Sequence, residues 1–224
     1  MLVTDRQLAA PRDLVELVAA AAGGGVTLVQ VREKDLPDDE LLALVRAIQR
    51  AAGDRAAVLV NGRPEVATAA GAGLHLPEDA PLPAFGRWPL WGRSVHRLER
   101  ARRAVAEGVD YLLAGTLFAT ESKPGAVLLG LEGLREIVVA AGGTPVLAIG
   151  GITAETAGAV VRAGAAGVAV QRAILQAADP ARAARELRQA LEAACAPASK
   201  SRVAPPSGAS TTEQPEPAWP GLFT

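Results

Sequence analysis

Pro145-Val146-Leu147-Ala148-Ile149-Gly150-Gly151 decides the fold of this chain. Its first five residues form an apolar run without polar alternation, the pattern of a strand covered on both faces in a parallel sheet. Gly150-Gly151 then makes a turn whose backbone can approach an anion closely, and a helix-length stretch, Ala154–Arg162, follows. Outward from this unit, similar strands are expected near Leu2–Thr4, Val26–Arg32, Ala57–Asn61, Gly73–Leu76, Pro89–Ser94, Tyr111–Ala114 and Gly167–Val170. Amphipathic stretches lie between them, near Pro11–Ala22, Asp38–Ala52, Pro64–Ala70, His96–Glu107, Leu131–Ala141, Ala173–Gln176 and Pro180–Ala194. The proline-rich segment Pro77–Gly86 reads as loop. The glycine turn therefore follows the seventh strand, whereas a doubly wound open sheet usually carries its phosphate-binding glycines after the first. The alternation predicts a (β/α)8 TIM barrel.

With 224 residues, half of them hydrophobic, the chain can bury one large core and needs no second domain. The barrel is expected over residues 1–195. Beyond it, residues 196–224 are rich in Pro, Ser and Thr and lose the apolar periodicity, so a disordered tail is expected. Basic and acidic residues nearly cancel, 23 against 24, which gives no broad electrostatic case for nucleic acid or membrane. Aromatics are only 3%, too few for a surface built on base stacking. No apolar run reaches the roughly 18 residues of a membrane span. The lone Cys195 and the lack of a signal-peptide pattern lead us to expect a cytoplasmic protein. Its expected partner is a phosphorylated small molecule, and self-association is left open.

Three stretches carry chemistry. In a strand, alternate residues share a face, so Gln30 and Arg32 point together, with Lys34 just beyond. Two cations there offer charge-assisted hydrogen bonds to a phosphate or diphosphate. Taken alone, Arg32-Glu33-Lys34-Asp35 would be a solvated loop; at the carboxyl end of a barrel strand it reads as an anion grip. The second stretch pairs Gly150 and Gly151 with Gln171 and Arg172 after strand eight, where barrels often form a phosphate site; tight packing is the plainer alternative. The third is the loop Gly115–Gly125, whose Thr120, Ser122 and Lys123 suit a closing lid or merely a polar surface. Asn61 closes strand three, and Ser94 stands two residues before His96. His75 and His96 are each either a base near neutral pH or structural. No spacing suggests zinc or a Ser/His/Asp triad.

Taken in order, Val3-Thr4-Asp5, Gln30–Leu36, Val60-Asn61, Gly92–His96, Phe118–Lys123 and Ala148–Thr153 resemble the thiamine-phosphate synthase superfamily, over residues 2–178. That superfamily holds two activities on one barrel. The synthase joins hydroxymethylpyrimidine diphosphate to a thiazole phosphate and releases pyrophosphate; the thiazole tautomerase aromatises a carboxylated thiazole phosphate without magnesium. The resemblance implies that Gln30 faces the pyrimidine or its equivalent. Arg32, Lys34, Asn61, Ser94 and Lys123 would hold diphosphate, Thr120 and Ser122 would stand on the thiazole side, and Gly150 with the last barrel helix would grip the thiazole phosphate. Arg172 stands where the family often has serine, tightening that grip or facing solvent.

Departures from the synthase pattern are informative. Gly62 occupies the place of a magnesium-binding aspartate, and Asp79 is the nearest substitute for a second one. Asn61-Gly62-Arg63, Leu76-Pro77 and Gly92-Arg93-Ser94-Val95-His96 look like the tautomerase branch, yet Thr116 stands where one member of that branch has its catalytic histidine. His75, His96 and Lys123 are then the catalytic candidates. The leading expectation is a thiazole tautomerase needing no cofactor. The alternatives are a synthase using Mg2+ with Asp79 as ligand, and a barrel that binds without catalysis.

Overall fold

The computed structural model describes residues 1–84, 86–121 and 124–195. Eight parallel strands run in sequence order: β1 (Leu2–Val3), β2 (Leu28–Val31), β3 (Ala57–Asn61), β4 (Gly73–Leu76), β5 (Trp91–Val95), β6 (Tyr111–Gly115), β7 (Val146–Ile149) and β8 (Gly167–Ala169). A parallel bridge between Leu2 and Val170 brings the two edge strands together and makes the sheet a barrel. Its helices are α1 (Arg6–Ala9), α2 (Leu14–Gly23), α3 (Asp38–Ala52), α4 (Pro64–Ala70), α5 (Leu98–Ala106), α6 (Gly130–Ala141), α7 (Ala154–Arg162), α8 (Arg172–Leu175) and α9 (Pro180–Cys195). The TIM-barrel expectation holds. The tail expected from residue 196 onward lies outside the described residues. No described helix is long and apolar enough to cross a membrane.

Local chemistry accounts for the element boundaries. α3 opens with Asp38, Asp39 and Glu40, whose charges suit a helix N-terminus. It buries Leu41, Val45, Ile48 and Ala52, a stripe at helical spacing that packs against the sheet. The first helix was expected from Pro11, but α2 starts at Leu14. Asp13 caps it, accepting hydrogen bonds from the backbone N–H groups of Val15 (2.8 Å) and Glu16 (2.9 Å). Four residues that the sequence left unassigned form α1, capped in the same way by Asp5. As expected, no helix links β4 to β5 among the described residues.

Two apolar layers hold the barrel. Outward residues of the strands, such as Val29, Val31, Val58, Val60, Leu112 and Ala114, pack under the helices. Inward residues, including Val3, Leu28, Leu59, Tyr111, Leu113 and Leu147, fill the interior. The two-residue period then places the next inward side chain of several strands at the carboxyl rim. Gln30 thus follows Leu28, Asn61 follows Leu59, and Ser94 follows Gly92. At Gly92 a Cβ would lie 2.3 Å from the Tyr111 ring, so the glycine is what admits a tyrosine to the barrel interior.

Candidate active site

At the carboxyl rim of the strands lies a cavity of about 740 Å³. Gln30, Arg32 and Lys34 reach it from β2, Asn61 from β3, and Ser94 and His96 from β5. Thr120, Gly150, Gly151, Gln171 and Arg172 line the other side. Residues expected from scattered stretches of sequence therefore meet in one place. Four of the candidates do not join them. Ser122 and Lys123 fall outside the described residues, and His75 and Asp79 do not line the cavity.

Gln30 is 2% exposed, and its Nε2 donates to Asn61 Oδ1 at 3.0 Å. Its Oε1 is buried without a hydrogen-bond partner among the described residues. A buried acceptor left unpaired costs roughly 1–3 kcal/mol. In a cavity wall such an oxygen can accept from water or from a ligand that enters.

Arg32 and Lys34 reach the cavity because their acidic neighbours turn away from it. Glu33 is buried, accepting from Thr4 Oγ1 at 2.6 Å and from the Arg6 backbone N–H at 3.0 Å. Asp35 makes a two-pronged pair with Arg6, at 2.6 and 2.7 Å. The guanidinium's hydrogen bond is the main cause that pulls the Asp35 carboxyl down to about 2. The charged run is therefore neither a solvated loop nor all site. Its acids fasten β2 to the β1–α1 turn and free its two cations for the cavity. Sequence reading missed the Glu33–Arg6 contact because nothing in the pattern relates the two positions.

His75, on the inward face of β4, is fully buried behind Ser94. Its Nε2 lies 2.8 Å from Ser94 Oγ and its Nδ1 lies 2.8 Å from the Tyr111 hydroxyl. Burial, and then the positive charges of Arg93 and Arg32, lower this histidine to about 3. Burial likewise raises Tyr111. The ring is therefore neutral at physiological pH, with one nitrogen donating and the other accepting. Its contact with Ser94, which lines the cavity, links His75 to it. Tyr111, the sole tyrosine, was not singled out from the sequence; its position opposite Gly92 was the available signal.

His96 stands at the rim, where Glu78 holds it twice. Glu78 Oε1 accepts from the His96 backbone N–H at 3.0 Å, and Oε2 lies 3.1 Å from Nδ1. Asp79, the candidate metal ligand, is 73% exposed and pairs with Arg100 at 2.6 Å. The loop bearing both acids is fastened from below by Arg93. This outward residue of β5 donates to the carbonyls of Pro77 (3.1 Å), Glu78 (3.0 Å) and Ala80 (2.7 Å). Its Nε also lies 2.9 Å from Glu107 Oε2, an ion pair without hydrogen-bond alignment.

Gly150 and Gly151 both have positive φ, 111° and 64°. Their role is more specific than leaving room for an anion. A Cβ on Gly150 would lie 2.6 Å from Thr116 Cγ2, and one on Gly151 would lie 2.5 Å from the Ala119 carbonyl oxygen. The turn after β7 is thus pressed against the loop after β6. Arg172, at the start of α8, pairs with Glu121 of that loop at 2.7 Å, so its charge is directed across the rim.

Magnesium takes oxygen ligands, commonly one or two carboxylates together with phosphate and water. Gly62 offers no side chain, Asp79 is turned outward, and both oxygens of Glu78 are engaged by His96. Among the described residues no group of three or more His, Cys, Asp or Glu side chains is placed to hold an ion. The donors present do not fit a magnesium held on carboxylates.

Comparison with known proteins places this geometry in a family. The family model described as thiamine monophosphate synthase matches residues 1–174. A thiamine-phosphate synthase of Moorella thermoacetica is 43% identical over 196 residues, covering 84% of this chain and 93% of that protein. One of Anaeromyxobacter dehalogenans is 45% identical over 188 residues, covering 81% and 84%. Among solved structures, a thiamine phosphate pyrophosphorylase from Pyrococcus furiosus superposes with a TM-score of 0.77 at 35% identity, covering 87% of this chain and 95% of that one. A 3-hexulose-6-phosphate synthase, at 24% identity and a TM-score of 0.61, shares the fold. The barrel, its rim and these relatives lead to one conclusion: the chain belongs to the thiamine monophosphate synthase family.

Proposed function

We propose that this protein makes thiamine phosphate, joining hydroxymethylpyrimidine diphosphate to a thiazole phosphate with release of pyrophosphate. The observation that carries the reading is a single cavity with two anion grips. Arg32, Lys34 and Ser94 stand on one side, and Gly150, Gly151 and Arg172 on the other. A diphosphate and a monophosphate suit these two places, and both substrates' rings then meet between them. The unpaired Gln30 Oε1 suits the amino group of the pyrimidine, while Val3, Leu113 and Ile149 provide an apolar bed for the rings. The relatives' name points the same way.

In this reaction the carbon–oxygen bond to the diphosphate breaks with its electron pair on oxygen, and the thiazole nitrogen bonds to the freed carbon. Arg32 and Lys34 stabilise the charge that develops on the leaving diphosphate. Holding both rings in one cavity aligns the new bond. Ser94, backed by His75, presents a hydroxyl to the same end.

A second reading, the tautomerase, is supported by Gly62 and by the outward Asp79. Thr116 weighs against it, because a buried hydroxyl is a poor base where that chemistry needs a good one. The test is a coupling assay on purified protein with both substrates, with Mg2+ and with EDTA. Thiamine phosphate is the expected product. Its absence, with turnover of carboxythiazole phosphate alone, would replace this reading by the tautomerase; binding without turnover of either would leave a binding protein.

A further inference from the structure

We propose that Glu78 and His96 form one acidic unit at the diphosphate end of the cavity, with His96 supplying the proton and positive charge that meet the leaving pyrophosphate. The proposal deepens the synthase reading and rests on it.

A carboxylate only accepts hydrogen bonds, so Nδ1 of His96 carries the hydrogen shared with Glu78 Oε2. That assignment leaves Nε2 as the working nitrogen, and among the described residues it has no protein partner. His96 lines the same wall as Ser94, Asn61, Arg32 and Lys34. An ordinary surface pair would contribute little and would leave both side chains mobile. This one is built differently. Glu78 is only 11% exposed in its side chain, it grips the backbone as well as the ring of His96, and its loop is clamped by three carbonyl contacts to the buried Arg93. A fixed carboxylate behind one ring nitrogen orients the ring and faces the positive charge it carries when the other nitrogen is protonated. That charge stands at the end of the cavity where, among the described residues, no carboxylates are grouped to hold a metal.

The carbon–oxygen bond breaks toward the diphosphate, whose oxygen takes the proton from His96 Nε2. Pyrophosphate leaves protonated, the imidazole is left neutral, and solvent returns the proton before the next cycle.

Inorganic pyrophosphate in the presence of EDTA is the probe. Only two histidines are present and the other is buried, so the imidazole nitrogen signals of His96 can be read directly by NMR. Pyrophosphate is expected to bring a proton onto His96 Nε2. By calorimetry, His96→Gln and Glu78→Gln should each weaken pyrophosphate binding by about tenfold, the scale of one charge-assisted hydrogen bond. The double variant should bind as weakly as His96→Gln alone, because the two act as one unit, and thiazole phosphate affinity should not move. Failure of the intact protein to bind pyrophosphate in EDTA would overturn the proposal, as would undiminished affinity in His96→Gln or an Nε2 left unprotonated in the complex. Coupling separates this proposal from the synthase reading. Normal kcat in His96→Gln sinks the dyad alone, whereas pyrophosphate binding through His96 without any coupling sinks the synthase.

Discussion

Replacing Gln30 with methionine should make the empty protein slightly more stable and the enzyme much worse. Gln30 is 2% exposed, and methionine matches its length without polar atoms. Removing the unpaired Oε1 relieves roughly 1–3 kcal/mol, and losing the Nε2 bond to Asn61 returns roughly 0.5–1.5 kcal/mol. The net is a gain of about 1 kcal/mol, which for a domain of this size raises Tm by roughly 2–4 °C. The same change takes away the acceptor proposed for the pyrimidine amino group. Affinity for hydroxymethylpyrimidine diphosphate should fall by about tenfold, the effect of one hydrogen bond worth about 1.4 kcal/mol. Thermal melts of the unliganded protein and calorimetric titration with the diphosphate supply both numbers. A clear fall in Tm would show that Oε1 is satisfied in the empty protein. Undiminished affinity would remove Gln30 from the pyrimidine site. Either result refutes the reasoning.

Two further predictions concern residues around the cavity. His75 is held at about 3 in the folded protein against an ordinary 6.5, so only the unfolded chain takes up its proton as pH falls. Its stabilisation is complete well above that ordinary value and is lost on acidification, by about 2 kcal/mol between pH 8 and pH 5. His75→Gln should flatten that part of the stability curve in urea titrations; an unchanged slope would show that His75 is protonated inside the barrel. Gly151→Ala meets both a positive φ and a Cβ contact of 2.5 Å with the Ala119 carbonyl oxygen. The two effects together cost about 3 kcal/mol, lowering Tm by roughly 6–12 °C and weakening thiazole phosphate binding as the loop after β6 shifts. A melt indistinguishable from the parent would mean that the two loops are not in contact.

The barrel was legible because its signals are local. Apolar runs, helix-length amphipathic stretches and the glycine pair after β7 report on backbone periodicity. β3, β4, α3, α4 and α7 accordingly lie where the sequence put them. Strand ends and the bounds of α5 differ by a residue or two, and two differences come from side chains that cap helices: Asp13 moved the start of α2, and Asp5 made α1. The rim candidates Gln30, Arg32, Lys34, Asn61 and Ser94 were legible for a related reason. The parallel register lines up the carboxyl ends of neighbouring strands, so polar residues at strand ends must converge.

Which polar residues face the cavity was decided only by tertiary contacts. The sequence by itself determined that Arg32, Glu33, Lys34 and Asp35 follow β2, but Arg6 and Thr4 decided that the acids turn away. It offered His75 and His96 as equal candidates. Packing put His75 behind Ser94, against a tyrosine admitted by Gly92, and Glu78 drew His96 to the rim. Periodicity is a property of neighbours in the chain. The state and direction of a charged side chain depend on burial and on partners from other strands, and those exist only once the barrel has closed.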